Sequence, residues 1–399
     1  MKSLSKFWQS PWALLKSGFD DLRQPPPGNR PALDVLRSMA ILLVLFFHIR
    51  TFAPNSMRLQ ALPFVRFGWT GVDLFFVLSG LLIGGQLWKE LKSTGTVQVR
   101  RFILRRGFRI WPLYYLVVSY LLAQQVLFGR HVHGLWLDAS FLSNYYFLFP
   151  VGGHAVGGGW SLSLEEQFYL IVPILLAVGA RLIPPKWLVH LTLVWLIALP
   201  FIRHLTMLKP AVDDKYTVIY YPFQTHSDGL AVGLLIAWLL AWKPGVLRLG
   251  RWFDLILVIV FLGSCCLWYS AHLALLFSAV ALAYGALTLL LLRLSQVFSF
   301  KSTPFYVISR LSYGVYLLHL GIVHHMHALG EGPRAFVVVF LLGGGASLCL
   351  AFLTFSFIEL PFLKLRERFI RKNGSSDIQV ANPLAGRAPA RRWRASWAK

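Results

Sequence analysis

The chain has 399 residues, of which 56% are hydrophobic and only 14% are charged, and its mean hydropathy is +0.60. Soluble domains carry about 25% charged residues, so the composition excludes a set of water-soluble domains and indicates a membrane protein. On a soluble protein the net charge of +23 would suggest a nucleic-acid partner. Here the Lys and Arg side chains lie mostly between apolar runs, where they mark membrane topology, and no nucleic-acid partner is expected.

Ten apolar stretches are long enough for transmembrane helices, which need about 20 mostly apolar residues. They lie near 32–53, 71–89, 110–128, 160–180, 187–205, 226–242, 253–271, 272–292, 311–330 and 335–358. The sequence therefore predicts an all-α, polytopic integral membrane protein with about ten transmembrane helices. Because the seventh and eighth stretches almost touch, a tight hairpin is expected at Ser270 to His272.

The distribution of basic residues predicts the orientation of the chain. Most of the 39 Lys and Arg residues fall in the segments on the N-terminal side of the membrane, and cytoplasmic segments hold such an excess, so both termini are expected in the cytoplasm. Residues 1–30 are expected to form a cytoplasmic segment and residues 31–368 the transmembrane domain. Residues 369–399 form a basic tail with too few apolar residues for a core, and we expect this tail to be disordered.

The first predicted helix carries two ionisable side chains, Arg37 and His48, eleven residues apart. At 100° per residue they differ by only about 20° from a shared face, and the helical rise separates them by about 16.5 Å. Ionisable groups inside a membrane helix are costly and indicate a functional site. Alternatively, Arg37 reaches lipid phosphate and His48 hydrogen-bonds a neighbouring helix.

The second and third predicted helices add further charges. Asp73 lies near the start of the second helix, where it either belongs to a site or caps the helix. Arg105, Arg106 and Arg109 come directly before Pro112, which suits the first turn of a helix. Guanidinium groups at a helix N-terminus predict an anion site, although these arginines are also explained as ordinary cytoplasmic charge.

The fourth predicted helix carries Glu165 and Glu166 just inside its apolar stretch. Ser161, Glu165 and Tyr169 follow each other at intervals of four, so they line one face of the helix. A helix-start role explains one acid, but a polar face of this length favours a functional site.

Later segments contribute weaker signals. Single polar side chains inside apolar stretches are His226, Asp228, His319 and Glu359. His324, His325 and His327 form a cluster, but a metal site needs further ligands that the sequence does not supply, so no metal is expected.

These motifs together resemble the integral-membrane acyltransferase family 3, which includes O-acetyltransferases of O-antigen, exopolysaccharide and nodulation factors. The matching residues are Arg37 and His48 in R-x10-H; Asp73 in GVDLFFVLSG; Arg106 and Arg109 in R-x-x-R; Trp160, Ser161 and Glu165 in WSLSLEEQFYLIVP; Ser312, Tyr313, Tyr316 and His319 in LSYGVYLLHL; and Glu359 and Pro361 in IELPF. One departure is HSDGLAVG, where the family more often has Arg and this chain has His226. The esterase-like domain that some members carry is not expected here.

The resemblance implies a membrane O-acyltransferase that moves an acyl group, expected to be acetyl, from cytoplasmic acyl-coenzyme A to a hydroxyl of an extracytoplasmic or lipid-linked glycan. Arg37, Arg106 and Arg109 would then bind the donor phosphates, and His48 would act as the base. Glu165 would orient His48 or act as an acid or base itself, and in an alternative route His48 would carry the acyl group covalently. Substrate or structural support is expected from Asp73, Trp160, Ser161, Tyr169, Asp228, Tyr313 and His319.

The expected partners are acyl-coenzyme A, a glycan or glycolipid acceptor and membrane lipids, and the expected location is the bacterial inner (plasma) membrane. A proton-coupled transporter or glycan flippase is the alternative, because ionisable groups inside a membrane also form proton relays. Transporters usually show inverted repeats or broken helices in matching positions, and the sequence shows neither. A membrane scaffold without chemistry would leave the buried ionisable groups unexplained.

Overall fold

The computed structural model describes residues 10–26, 28–52, 56–149, 151, 153, 155–208, 214–270, 272–297, 303–326 and 330–373. Within these ranges the regular structure is helical. The α-helices are α1 (Pro11–Arg23), α2 (Pro31–Ile49), α3 (Met57–Ala61), α4 (Pro63–Arg66), α5 (Gly71–Thr94), α6 (Val99–Phe128), α7 (Leu135–Ala139), α8 (Gly159–Gly179), α9 (Val189–Met207), α10 (Thr217–Tyr220), α11 (Phe223–His226), α12 (Asp228–Trp242), α13 (Arg251–Ser270), α14 (Leu273–Val297), α15 (Thr303–His325), α16 (Pro333–Thr354) and α17 (Leu360–Asn373). Short 3-10 helices lie at Arg50–Phe52, Gly68–Thr70, Ser143–Leu148, Pro185–Leu188 and Pro244–Arg248, and a π-helical turn, Phe355–Glu359, joins α16 to α17.

The described residues contain nine helices that are long and apolar enough to cross a membrane, which confirms the all-α polytopic fold. The remaining predicted span, the sixth in chain order, is α12, which has only 15 residues. Its length of about 22 Å is less than the ~30 Å hydrocarbon thickness. Because α12 packs between α5, α9 and α14, its backbone is shielded by protein. The orientation across the membrane stays a prediction.

Helices α5 and α12 form the centre of the protein. A Cβ atom at Gly80 of α5 would overlap the carbonyl oxygen of Leu230, and one at Gly233 of α12 would overlap the carbonyl oxygen of Val77. Glycine at these positions lets the two backbones approach closely, as is typical of membrane helices. The span around α5 is 78% buried, whereas the span that contains α13 is only 11% buried and presents its apolar side chains outward, as expected for contact with lipid.

The third span differs from the prediction. Helix α6 begins at Val99, and Pro112 lies inside it, so the prediction that Pro112 starts this helix was wrong. Within a bilayer the backbone has no water to bond, so a membrane helix continues through a proline that would end a helix in water. The predicted hairpin is confirmed, because α13 ends at Ser270 and α14 begins at Leu273.

The predicted N-terminal segment contains α1, which packs against the membrane domain. Asp21 pairs with Arg310 of α15 at 3.0 Å, and Lys364 of α17 donates a hydrogen bond to Ser17 at 2.6 Å. Residues 374–399, which hold most of the predicted disordered tail, lie outside the described residues, as does His327 of the histidine cluster.

Candidate active site

A cavity of about 110 Å³ lies between α2, α5, α6, α8 and α15. Its apolar lining comes mainly from α5. Its polar lining consists of Arg37, Ser79, Arg106, Arg109, Ser161, Glu165, Tyr169, Ser312, Tyr313 and Tyr316. The cavity therefore brings together seven of the twelve residues to which the sequence assigns catalytic, binding or supporting roles.

One end of the cavity is strongly cationic. Arg37 of α2 and Arg106 and Arg109 of α6 line it, and within the described ranges none of the three makes a side-chain hydrogen bond or an ion pair within 4.0 Å. The guanidinium group of Arg106 stacks over the rings of Phe102 and Tyr169, at 5.8 Å from each centroid. Because Pro112 lies inside α6, the expected helix N-terminus is missing here. An anion at this end would be bound by side chains alone.

Glu165 lies on the predicted polar face of α8. Its Oε1 accepts a hydrogen bond from Ser79 and its Oε2 accepts one from Tyr169, both at 2.7 Å. Ser161, Glu165 and Tyr169 all line the cavity, which confirms that the three share a face. Glu166 points away from this face and accepts a hydrogen bond from Trp111 at 3.2 Å.

A pair of hydroxyl groups, one from α8 and one from α15, also lines the cavity. The hydroxyl oxygens of Tyr316 and Ser161 are 2.5 Å apart, and Ser161 also donates to the carbonyl of Gly158 at 2.9 Å. Gly158 has a φ of 75°, a backbone conformation that glycine adopts without strain, and a Cβ there would contact the Tyr316 hydroxyl. The Tyr316 ring also packs against His319, with 6.0 Å between ring centroids.

His48 lies beyond Tyr316 and is absent from the cavity lining. Its Nδ1 atom is 2.9 Å from the carbonyl oxygen of Val44 and 3.2 Å from Nε2 of His319. Glu165 makes its side-chain bonds to Ser79 and Tyr169, so the structure gives His48 a partner other than the predicted Glu165. The sequence indicates His48 and His319 as separate candidate residues but does not predict the contact between them.

Asp73 lies outside the cavity, in a buried aromatic cluster. Its Oδ1 is 2.9 Å from Nε2 of His226, whose Nδ1 is 2.5 Å from the carbonyl oxygen of Tyr220. Trp160 stacks on His226 with 5.8 Å between centroids and 15° between ring planes. Asp73 therefore holds α5 to His226, a tertiary role that the cap interpretation did not include.

Asp228 is paired with Arg203, which sequence reasoning missed as a functional or structural residue. Both side chains are fully buried, and Arg203 donates to both carboxylate oxygens of Asp228, at 2.7 and 3.1 Å. Arg203 also donates to Ser278 and to the carbonyls of Thr225 and Ala274. This bidentate pair joins α9, α12 and α14. The only sequence signal was an arginine inside an apolar stretch.

Tyr313 and Glu359 are the remaining residues that the sequence singled out. Tyr313 lines the cavity and donates to the carbonyl of Ile110 at 2.8 Å. Glu359 is buried at the end of the π-helical turn. Among the described residues, no group of three or more His, Cys, Asp or Glu side chains is arranged to hold a metal ion.

The loop before α8 is held by Asp138, another residue that sequence reasoning missed. Its Oδ2 accepts hydrogen bonds from the backbone N–H groups of Ala155 and Val156, at 2.7 and 3.1 Å. Burial raises the pKa of Asp138 to about 6, although these two donors oppose the shift. Asp138 lies outside the candidate membrane spans, and it fixes the entry to the helix that carries Ser161 and Glu165.

Residues 30–356 match the family profile described as an acyltransferase domain, the acyltransferase 3 family. The chain belongs to this family. The match spans every residue of the cavity lining, so the cavity lies inside the family's common domain.

Several curated proteins are similar to this acyltransferase-family chain. Peptidoglycan O-acetyltransferase OatA of Listeria monocytogenes is 26% identical over 375 residues, which cover 86% of this chain and 56% of the relative. Putative O-acetyltransferase SACOL0978 of Staphylococcus aureus is 24% identical over 84% of this chain and 57% of its own length. Putative peptidoglycan O-acetyltransferase YrhL of Bacillus subtilis is 30% identical over 55% of this chain and 34% of its own length.

The chain thus spans about half the length of the curated relatives it matches. No solved structure matches it.

Proposed function

We propose that this protein is a membrane O-acyltransferase that transfers an acetyl group from acetyl-coenzyme A to a hydroxyl of a glycan. The observation that carries the proposal is the cavity, whose lining includes three guanidinium groups with no carboxylate within 4.0 Å and the Tyr316 ring, which packs against the His319 partner of His48. The family membership supports acyl transfer, and the O-acetyltransferase names of the relatives support acetyl and a glycan acceptor.

The cationic end suits the donor. Coenzyme A carries several phosphate groups, and guanidinium groups bind phosphate through strong, charge-assisted hydrogen bonds. Arg37, Arg106 and Arg109 have no ion-pair partner within 4.0 Å in the described part of the chain, so a phosphate there would not have to displace one. With the proposed orientation, in the bacterial inner membrane with both termini cytoplasmic, this end faces the cytoplasm, where acyl-coenzyme A is available.

The chemical step is proposed to occur beside His48. The imidazole takes the proton from the glycan hydroxyl, whose oxygen attacks the thioester carbonyl carbon. The carbon–sulfur bond breaks, and the departing thiolate takes the proton from the imidazolium. The thioester is proposed to approach His48 past the Tyr316 ring, which lines the cavity and packs against His319.

Glu165 is proposed to act at the cavity wall and not on His48. Its carboxylate holds Ser79 and Tyr169, and Tyr169 in turn stacks under the guanidinium group of Arg106. Glu165 thereby fixes the side chains around the donor. Whether His48 is a base or carries the acyl group covalently is answered by isolating the protein during turnover, because only the covalent route leaves label on the chain.

The test incubates purified protein with radiolabelled acetyl-coenzyme A and membrane glycans, and it compares the wild type with His48→Ala and His190→Ala. His190 is an exposed histidine bonded to the carbonyl of Trp187, so its variant is a matched control. We expect acetyl transfer by the wild type and the control and none by His48→Ala. Near-normal acetylation by His48→Ala would exclude His48 as the base. If the wild type leaves the thioester intact but moves glycan across liposomes, the protein is a transporter.

A further inference from the structure

We infer that His319 is a positioning residue that holds the His48 imidazole with its Nε2 atom unprotonated and ready to accept a proton. This inference concerns the atom of His48 that reacts, and its kinetic part rests on the proposed acyl transfer. The observation behind it is the order of donors and acceptors along the two rings.

The protonation of His319 follows from its neighbours. Its Nδ1 is 2.7 Å from the carbonyl oxygen of Tyr316 and 3.0 Å from that of Val315. Carbonyl oxygens only accept hydrogen bonds, so Nδ1 carries the hydrogen. His319 is fully buried, and none of its hydrogen bonds goes to a carboxylate, so nothing there stabilises a charged ring. In the neutral ring, Nε2 is an acceptor.

The protonation of His48 follows from that of His319. Nδ1 of His48 faces two acceptors, the carbonyl oxygen of Val44 at 2.9 Å and Nε2 of His319 at 3.2 Å. It therefore donates its hydrogen, and the lone pair of the neutral ring lies on Nε2. This is the reverse of the form that predominates for histidine in water, where Nε2 carries the hydrogen.

The same contact serves the reaction. When Nε2 of His48 takes a proton, the ring becomes positive, and its Nδ1–H bond to Nε2 of His319 becomes charge-assisted and stronger. A carboxylate would supply the same acceptor, but burying it inside a membrane domain would be costly while the base is neutral. A neutral imidazole gives the orientation without a permanent buried charge.

Nitrogen-15 NMR of histidine-labelled protein in lipid bilayers tests the inference directly. Comparison with His48→Gln and His319→Gln assigns the two rings among the 12 histidines. At neutral pH we expect both rings to show a protonated Nδ1 and an unprotonated Nε2. A protonated Nε2 on either ring would overturn the inference. Because this measurement needs no turnover, its outcome does not depend on the proposed function.

The kinetic test compares two variants of His319. The amide oxygen of Gln lies close to the position of Nε2, so His319→Gln keeps an acceptor for His48, whereas His319→Leu keeps only the volume. We expect His319→Leu to lower kcat about 100-fold, in line with the usual contribution of a positioned base, with KM for acetyl-coenzyme A unchanged. We expect His319→Gln to recover most of that loss. Equal losses in both variants would assign His319 a purely structural role.

Discussion

The unpaired arginine cluster makes a quantitative prediction about donor binding. Arg106 lines the cavity, whereas its neighbour Arg105 on the same helix does not. A hydrogen bond to a charged group contributes about 1.5–3 kcal/mol, so Arg106→Ala should weaken acetyl-coenzyme A binding by about 10- to 150-fold. Arg105→Ala removes the same charge from the same helix and should change the affinity by less than about threefold, because Arg105 is half-buried outside the cavity and does not reach the bound donor.

Removing Arg106 should not lower the stability of the fold, unlike removing an arginine that is paired with a carboxylate. Arg106 lies among Arg37 and Arg109, so its removal relieves repulsion between like charges and should not lower the melting temperature. The assay is equilibrium binding of labelled acetyl-coenzyme A to the detergent-purified variants, with thermal unfolding measured on the same samples. Wild-type affinity in Arg106→Ala, or an equal loss in Arg105→Ala, would refute the phosphate-binding role of the cluster.

Two further predictions concern stability. Arg203→Met leaves the buried carboxylate of Asp228 without its guanidinium partner and should destabilise the fold by about 3–5 kcal/mol. Combining it with Asp228→Leu removes the unpaired charge and should recover most of the loss. A double variant as unstable as the single one in thermal unfolding would contradict this. Burial raises the pKa of Asp138 to about 6, so the folded state is favoured most when this carboxyl is protonated. As the pH rises from about 4 to about 7, the free energy of unfolding of the wild type should therefore fall by on the order of 3 kcal/mol relative to that of Asp138→Asn. A constant difference between the two unfolding profiles would show that Asp138 does not titrate in this range.

The sequence predicted those features that depend on spacing along one helix. The lengths of the apolar stretches located the spans, and the interval of four placed Ser161, Glu165 and Tyr169 on one face of α8. The chemistry of Arg37 and Arg106 also predicts an anion site, and both side chains line the cavity. Each of these predictions follows from helical geometry and the cost of charge in a membrane.

Contacts between distant helices were not predictable from one sequence. His48 and His319 are 271 positions apart, and Arg203 and Asp228 are 25 apart on different helices. Each residue signalled itself as a polar group in an apolar stretch, but no pattern says which of them meet. The prediction that Pro112 starts a helix was wrong for another reason. The preference of proline for the first turn comes from helices in water, whereas the bilayer favours continuing the helix.

Buried charge in the described part of the chain falls into two kinds, and the difference favours an enzyme over a transporter. Arg203 meets a carboxylate and needs nothing more. Arg37, Arg106 and Arg109 line the cavity and have no carboxylate within 4.0 Å, so an anion that enters the cavity would stabilise their arrangement. A proton relay needs groups that exchange protons, and arginine does not release its proton in proteins. Glu165, the acid on the cavity wall, bonds to hydroxyl groups and to neither imidazole, which favours the proposed anion site beside a base over a proton path.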